Sequence, residues 1–117
     1  MKHFGWIAVL VLIWSGPAYA QVPELETVQD FVAECTSKKI YNVYCLGLVN
    51  GVAGVLVFIG SFTDPVRKTI GMCIPSFTSN AQMRQIVLNW AKNNPKYWQQ
   101  KVEIGVILAL SKAFPCK

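Results

Sequence analysis

Apolar positions along this chain fall into one short leading stretch and four longer helical patterns. The leading stretch, Phe4 to Trp14, carries no charge and follows Lys2 and His3. Ser15, Gly16 and Pro17 break it, and Ala18-Tyr19-Ala20 has the small-x-small form of a cleavage site. Basic start, apolar middle and cleavage site together predict a secretory signal peptide over residues 1–20. The apolar part is shorter than the ~20 residues a membrane span needs. The expected mature domain therefore runs over residues 21–117.

The first helical pattern covers Glu24 to Cys35, where Leu25, Val28, Phe31, Val32 and Cys35 form one stripe. Acids lead it and Lys38 and Lys39 follow it, an order that suits the helix dipole. The second covers Asn42 to Ile59 and has no charge and no polar face. Such a helix is expected at the centre of the domain. Its uncharged surroundings, Ile40 to Phe62, also reach the length of a membrane span. Asn42, Asn50, the internal glycines and Cys45 favour a soluble helix with no span after the leader is removed. Gly47, Gly51 and Gly54 lie near one face and predict close approach of another backbone.

Gly60 to Ser76 reads as a long loop, punctuated by Gly60, Asp64-Pro65, Gly71 and Pro75. Long loops in compact domains are frequently functional. Ser79-x-x-Gln82 is a capping-box pattern that opens the third helix. Met83, Ile86, Val87, Trp90 and Ala91 follow at helical spacing, and Asn93-Asn94-Pro95 ends the run. The fourth helix is expected to start near Pro95 and to carry the apolar run from Val102 to Phe114. The fold class is thus all-α, a four-helix bundle with helices two and four central and helices one and three covering them.

A domain this small gains modest stability from its core, so its cysteines change the picture. All four (Cys35, Cys45, Cys73 and Cys116) lie beyond the leader. An even number behind an export signal reads as a disulfide framework. Their spacing has no Cys-x-x-Cys pair, and the one histidine of the chain is His3, so no zinc site is expected. Four cysteines allow three pairings, and sequence does not choose among them. The favoured one joins Cys45 to Cys73 across the long loop and Cys35 to Cys116 at the tail. The loop-entropy model makes these closures worth roughly 3.5 and 4.5 kcal/mol.

Candidate chemistry is sparse. With no histidine after the leader, Ser/His/Asp and Cys/His catalytic arrangements are excluded. Most acids sit in or beside the first helix, and Glu103 alone falls in an apolar one. No phosphate-binding loop is present, and no cofactor is expected. The formal net charge of +5 is mild, and its lysines and arginines are dispersed rather than clustered, so no nucleic-acid partner is expected. The chain reads as a non-enzyme that acts by contact. The residues nominated for partner binding are Phe62, Asp64, Arg67 and Lys68 in the long loop. The stretch from Lys96 to Gln99 is second, although Trp98 there reads more simply as packing.

Cys45-Leu46-Gly47, then Gly51, Cys73-Ile74-Pro75, Asn94-Pro95 and the closing Ala113-Phe114-Pro115-Cys116 occur in a fixed order. That order, over Phe31 to Cys116, resembles the Rap/Tai immunity family. The chain departs from the usual pattern after Gly47, where an aromatic is common and Leu48 stands here. The resemblance implies a small helical periplasmic protein that protects against a peptidoglycan amidase injected by type VI secretion. It implies binding the toxin and blocking its active site, with a homodimer as the common form. The competing class is a small periplasmic helical chaperone or envelope accessory protein with no toxin partner. Few acids and no histidine in the mature domain leave such a chaperone poorly equipped as a pH switch.

Overall fold

The computed structural model describes residues 16, 24–37 and 41–117. The expected leader lies, Gly16 apart, outside the described residues. Five α-helices are described: α1 (Val28–Ser37), α2 (Asn42–Gly60), α3 (Asp64–Ile70), α4 (Asn80–Asn93) and α5 (Val102–Ala113). A 3-10 turn, Pro95–Tyr97, joins the last two. The all-α, disulfide-stapled reading holds, with one helix more than the hydrophobic pattern announced.

Helix α1 starts later than its apolar stripe. Its first turn is closed by a reciprocal cap: the Asp30 N–H donates to Thr27 Oγ1 at 3.2 Å, and the Thr27 N–H donates to Asp30 Oδ2 at 3.0 Å. A threonine followed three residues later by an acid is a capping signature. Residues before it are extended and pair with the approach to α5. The Val28 N–H donates to Gln100 O at 3.0 Å, and the Val102 N–H donates to Glu26 O at 2.9 Å. This pairing explains why the fourth predicted helix does not run unbroken from Pro95. Backbone groups around Trp98 to Val102 serve the N-terminal segment instead of an α-helical ladder, and α5 begins at Val102.

The capping box of α4 forms as its residues predict. The Gln82 N–H donates to Ser79 Oγ at 3.1 Å, and the Ser79 N–H donates to Gln82 Oε1 at 2.9 Å. Arg84 is half-buried, and its Nη2 donates to Cys35 O at 2.8 Å near the C-terminal end of α1. A guanidinium there satisfies a carbonyl that the helix end leaves open.

The core joins α1, α2, α4 and α5. Phe31, Cys45, Val49, Val102, Val106 and Leu110 are among its fully enclosed side chains. Gly105 is a place where only glycine fits. A Cβ there would sit 2.6 Å from Val28 Cγ2, so α5 and α1 pass close together.

Two expectations about the centre are corrected. Helix α5 is central, as expected, but α2 buries one side only, with Cys45, Val49, Ala53 and Gly60 facing inward. Among the described residues, α1, α3, α4 and α5 pack against it. Along its outer face Val43, Val55 and Phe58 are 75%, 58% and 64% exposed. The second correction concerns the glycines. Among the described residues, nothing outside the helix's own turn lies within 4 Å of a Cβ built on Gly47, Gly51 or Gly54, so no second described backbone approaches them. By length and composition α2 is also the described helix that suits a membrane span.

The cysteine pairing is the third correction. Cys35 bonds to Cys45 and Cys73 to Cys116, with Cα–Cα distances of 5.9 and 5.1 Å. The favoured pairing of Cys45 with Cys73 and Cys35 with Cys116 does not occur. It required the segment after α2 to return along most of the helix, from Gly60 to Cys45, a path of roughly 22 Å at 1.5 Å per residue. That segment instead forms α3, which packs at the far end of α2. Cys73 stays there, and its N–H donates to Phe114 O at 2.8 Å, beside the tail. Cys35 and Cys45 lie near the junction of α1 and α2, where consecutive helices meet.

Candidate contact surface at the corner of α2 and α3

The nominated residues gather where α2 turns into α3. Ser61 closes α2: its N–H donates to Val57 O and Phe58 O at 3.0 and 3.1 Å, and its Oγ donates to Phe58 O at 2.6 Å. Thr63, in an extended conformation, then accepts from the Val66 N–H at 3.3 Å and caps α3. Pro65 lies in the first turn, where its missing N–H costs nothing. Gly71 ends α3 at φ 72°, the left-handed conformation that a terminating glycine adopts without strain. Threonine cap, early proline and terminal glycine form a complete set of helix boundary signals inside what reads as a loop.

The corner is tightly turned. A Cβ on buried Gly60 would touch Arg67 Cα at 3.5 Å, so the two helices meet backbone to side chain. Phe58 and Phe62 pack edge to face with centroids 5.1 Å apart, and both rings stay largely open to solvent. Arg67 Nη2 and Asp64 Oδ1 form an exposed ion pair at 2.7 Å. Such pairs on a helix surface add a few tenths of a kcal/mol. Here the pair's main effect is to fix where the guanidinium lies.

A groove of about 540 Å³ opens beneath this corner. Phe62, Asp64 and Arg67 line it together with Met72, Cys73 and Ile74. Lys68 is exposed on α3 but does not line the groove. The floor is thus pinned by the Cys73–Cys116 bridge, and Cys116 Sγ lies 3.7 Å from Arg67 O. That approach is a packing contact, because a bridged sulfur carries no proton to donate. Sequence reasoning passed over Met72 and Ile74, whose role follows from the fold of α3 and has no local signature.

The second nominated stretch is used inside the fold. Tyr97 stacks on Trp90 with centroids 5.3 Å apart, and Trp98 Nε1 donates to Ala91 O at 2.8 Å. Lys96 Nζ sits 5.0 Å from the Tyr97 ring centroid. The packing reading of Trp98 therefore holds. Glu103 is exposed in the first turn of α5, where a carboxylate faces the positive end of the helix.

The groove brings together one carboxylate and one guanidinium that already neutralise each other, an open aromatic pair and apolar walls. Among the described residues no cluster of three or more His, Cys, Asp or Glu side chains forms a metal site. Such a surface can hold a partner by aromatic and charge-assisted contacts. No curated protein and no solved structure matches the chain. The Rap1a immunity protein family model matches residues 27–116, from the cap of α1 to the final cysteine, through all five helices and both disulfides. The chain belongs to the Rap1a immunity protein family.

Proposed function

We propose that this chain is a periplasmic immunity protein that binds a peptidoglycan amidase delivered by type VI secretion and blocks its active site without catalysing a reaction. The observation that carries the proposal is the family match across the whole disulfide-stapled domain. Both bridges favour an oxidising compartment, which agrees with export through the expected leader. A stapled helical body is pre-organised, so little conformational freedom is lost when it docks.

The part offered to the toxin is the α2–α3 corner, with Phe62 as aromatic anchor and Arg67 as oriented charge. Phe62 is 66% exposed and supported from behind by Phe58. Aromatic and arginine side chains dominate interface energetics. Purified protein should inhibit peptidoglycan cleavage by the amidase encoded beside its own gene. The double variant Phe62→Ala/Arg67→Ala should lower affinity at least tenfold, with its unfolding midpoint close to the parent. Unchanged affinity in calorimetry would remove this corner from the interface. Absence of any inhibition would remove the immunity reading itself.

A further inference from the structure

We propose that the Cys73–Cys116 bridge is a site of reversible thiol–disulfide exchange with a dithiol reductant, and that opening it releases α3 while the rest of the fold stands. The exchange site and the release of α3 do not rest on the toxin reading; only their effect on toxin binding does.

The two bridges differ in access. Cys35 and Cys45 are 2% and 0% exposed and belong to the core. Cys73 and Cys116 are only half-buried. Cys73 lines the α2–α3 groove, and Cys116 stands between exposed Pro115 and exposed Lys117. Exchange requires a thiolate to reach a disulfide sulfur. The core bridge can be reached only when helices separate, whereas the outer one needs at most a movement of the last residues. Charge favours the same bond. The attacking thiolate is an anion, and the segments that this bridge joins carry exposed Arg67, Lys68, Lys112 and Lys117. Asp64, the one acid of α3, is already paired with Arg67.

The exchange balances within these groups. A thiolate of the reductant attacks Cys116 Sγ, the S–S bond breaks, and Cys73 leaves with the electron pair and takes up a proton. The reductant's second thiolate attacks its own sulfur in that mixed disulfide, and Cys116 leaves as the second thiol. Two electrons and two protons pass to the chain, and the dithiol becomes a disulfide. Cys116 is the sulfur attacked because it lies on the terminal tail and because Arg67 O, 3.7 Å away, disfavours a departing negative charge there. What the bond secures is α3. That helix contains no buried residue and packs mainly against α2. Segments with little burial open at low free energy. Reduction leaves the hydrogen bond from the Cys73 N–H to Phe114 O in place of a covalent tie between the groove and the tail. Phe62 and Arg67 then lose the support that orients them, so the groove is ordered in the oxidised form alone.

Native protein treated with dithiothreitol at room temperature and trapped with iodoacetamide should pass through a species alkylated at Cys73 and Cys116, with Cys35 and Cys45 still joined. Mass spectrometry of the time course should show the outer bond reduced about tenfold faster than the core bond, or more. In the trapped species the α3 amides should lose their hydrogen-exchange protection, and those of α4 and α5 should keep most of theirs. The double variant Cys73→Ser/Cys116→Ser should give the same pattern without alkyl groups. Untrapped protein passed into oxidised glutathione should recover protection in α3. Loss of both bonds at one rate, earlier loss of Cys35–Cys45, or α3 amides still protected once the outer bond is gone would overturn the proposal. So would global unfolding of both the trapped species and the serine variant. The selectively reduced protein should bind the amidase about tenfold more weakly than the oxidised form, as expected when an interface must be re-ordered on docking. Oxidised protein that fails to inhibit the amidase strikes the toxin reading alone, because the exchange and the release of α3 are read without a partner.

Discussion

Replacing Cys73 and Cys116 by serine should lower the free energy of unfolding by about 4 kcal/mol, more than any loss expected from the other bridge. The two bonds close loops of very different length, with sequence separations of 43 and 10 residues. A cross-link mainly restricts the unfolded chain, and the restriction grows with the logarithm of the loop. The same relation gives about 2.7 kcal/mol for Cys35–Cys45. Domains of this size have total stabilities of about 5–15 kcal/mol, so the variant lacking the longer bridge should sit near the edge of folding at 37 °C. Its effect should also be local. The bridge holds the Cys73 N–H against Phe114 O and lines the groove beneath Phe62. Urea unfolding of the two serine pairs, each against the parent, tests the order. A larger loss from the shorter loop would show that native-state strain or residual structure outweighs loop length here.

Phe31→Ala should cost about 3–5 kcal/mol, the range for removing a fully enclosed aromatic ring. Phe31 is 1% exposed and sits among Val87, Trp90, Ala91, Val102 and Gly105. It belongs to α1 but fills space between α4 and α5, so its removal leaves a void that three helices line. Collapse of that void is hindered. A Cβ at Gly105 would already overlap Val28 Cγ2, and the backbone hydrogen bonds from Val28 and Val102 hold α1 and α5 in place. Denaturant titration should show a lower midpoint with an unchanged slope, since the change acts on packing and not on the extent of unfolding. A loss below about 1 kcal/mol would show that the site closes up freely, contrary to the restraint argued here.

The elements legible in the sequence were those specified by neighbours in the chain. Ser79 and Gln82 announce α4 because a capping box is complete within four residues. Helix α3 carried equally local signals in Thr63, Pro65 and Gly71, yet it spans too few positions for an apolar period to emerge, and its residues are exposed apart from half-buried Ile70. Asp64-Pro65 starts turns and helices alike, so the boundary residues were read as a loop. The candidate site kept Phe62, Asp64 and Arg67 together because they are nearly adjacent in sequence. Met72 and Ile74 joined them only through the turn at Gly71.

Burial of α2 failed for a different reason. An apolar helix states that its surface avoids water, and it does not state what replaces the water. Its inner residues Cys45, Val49 and Ala53 and its outer residues Val43, Val55 and Phe58 are alike in hydropathy and opposite in exposure. Disulfide pairing was hidden for a related reason. Loop length ranks closures by entropy, but the choice was made by where α3 docks, a tertiary fact with no local signature.

Each bridge joins a cysteine to the next one along the chain, with no crossing and no nesting. A chain threaded amino end first into an oxidising space would present Cys35 with Cys45 as its first available thiol. Cys73 would appear after that pair had closed, and would await only Cys116. The order of emergence therefore selects the native bonds, and an oxidant suffices with no need for an isomerase to reshuffle them. The protein should reach full yield in cells lacking periplasmic isomerase, and accumulation of mispaired product there would refute this route.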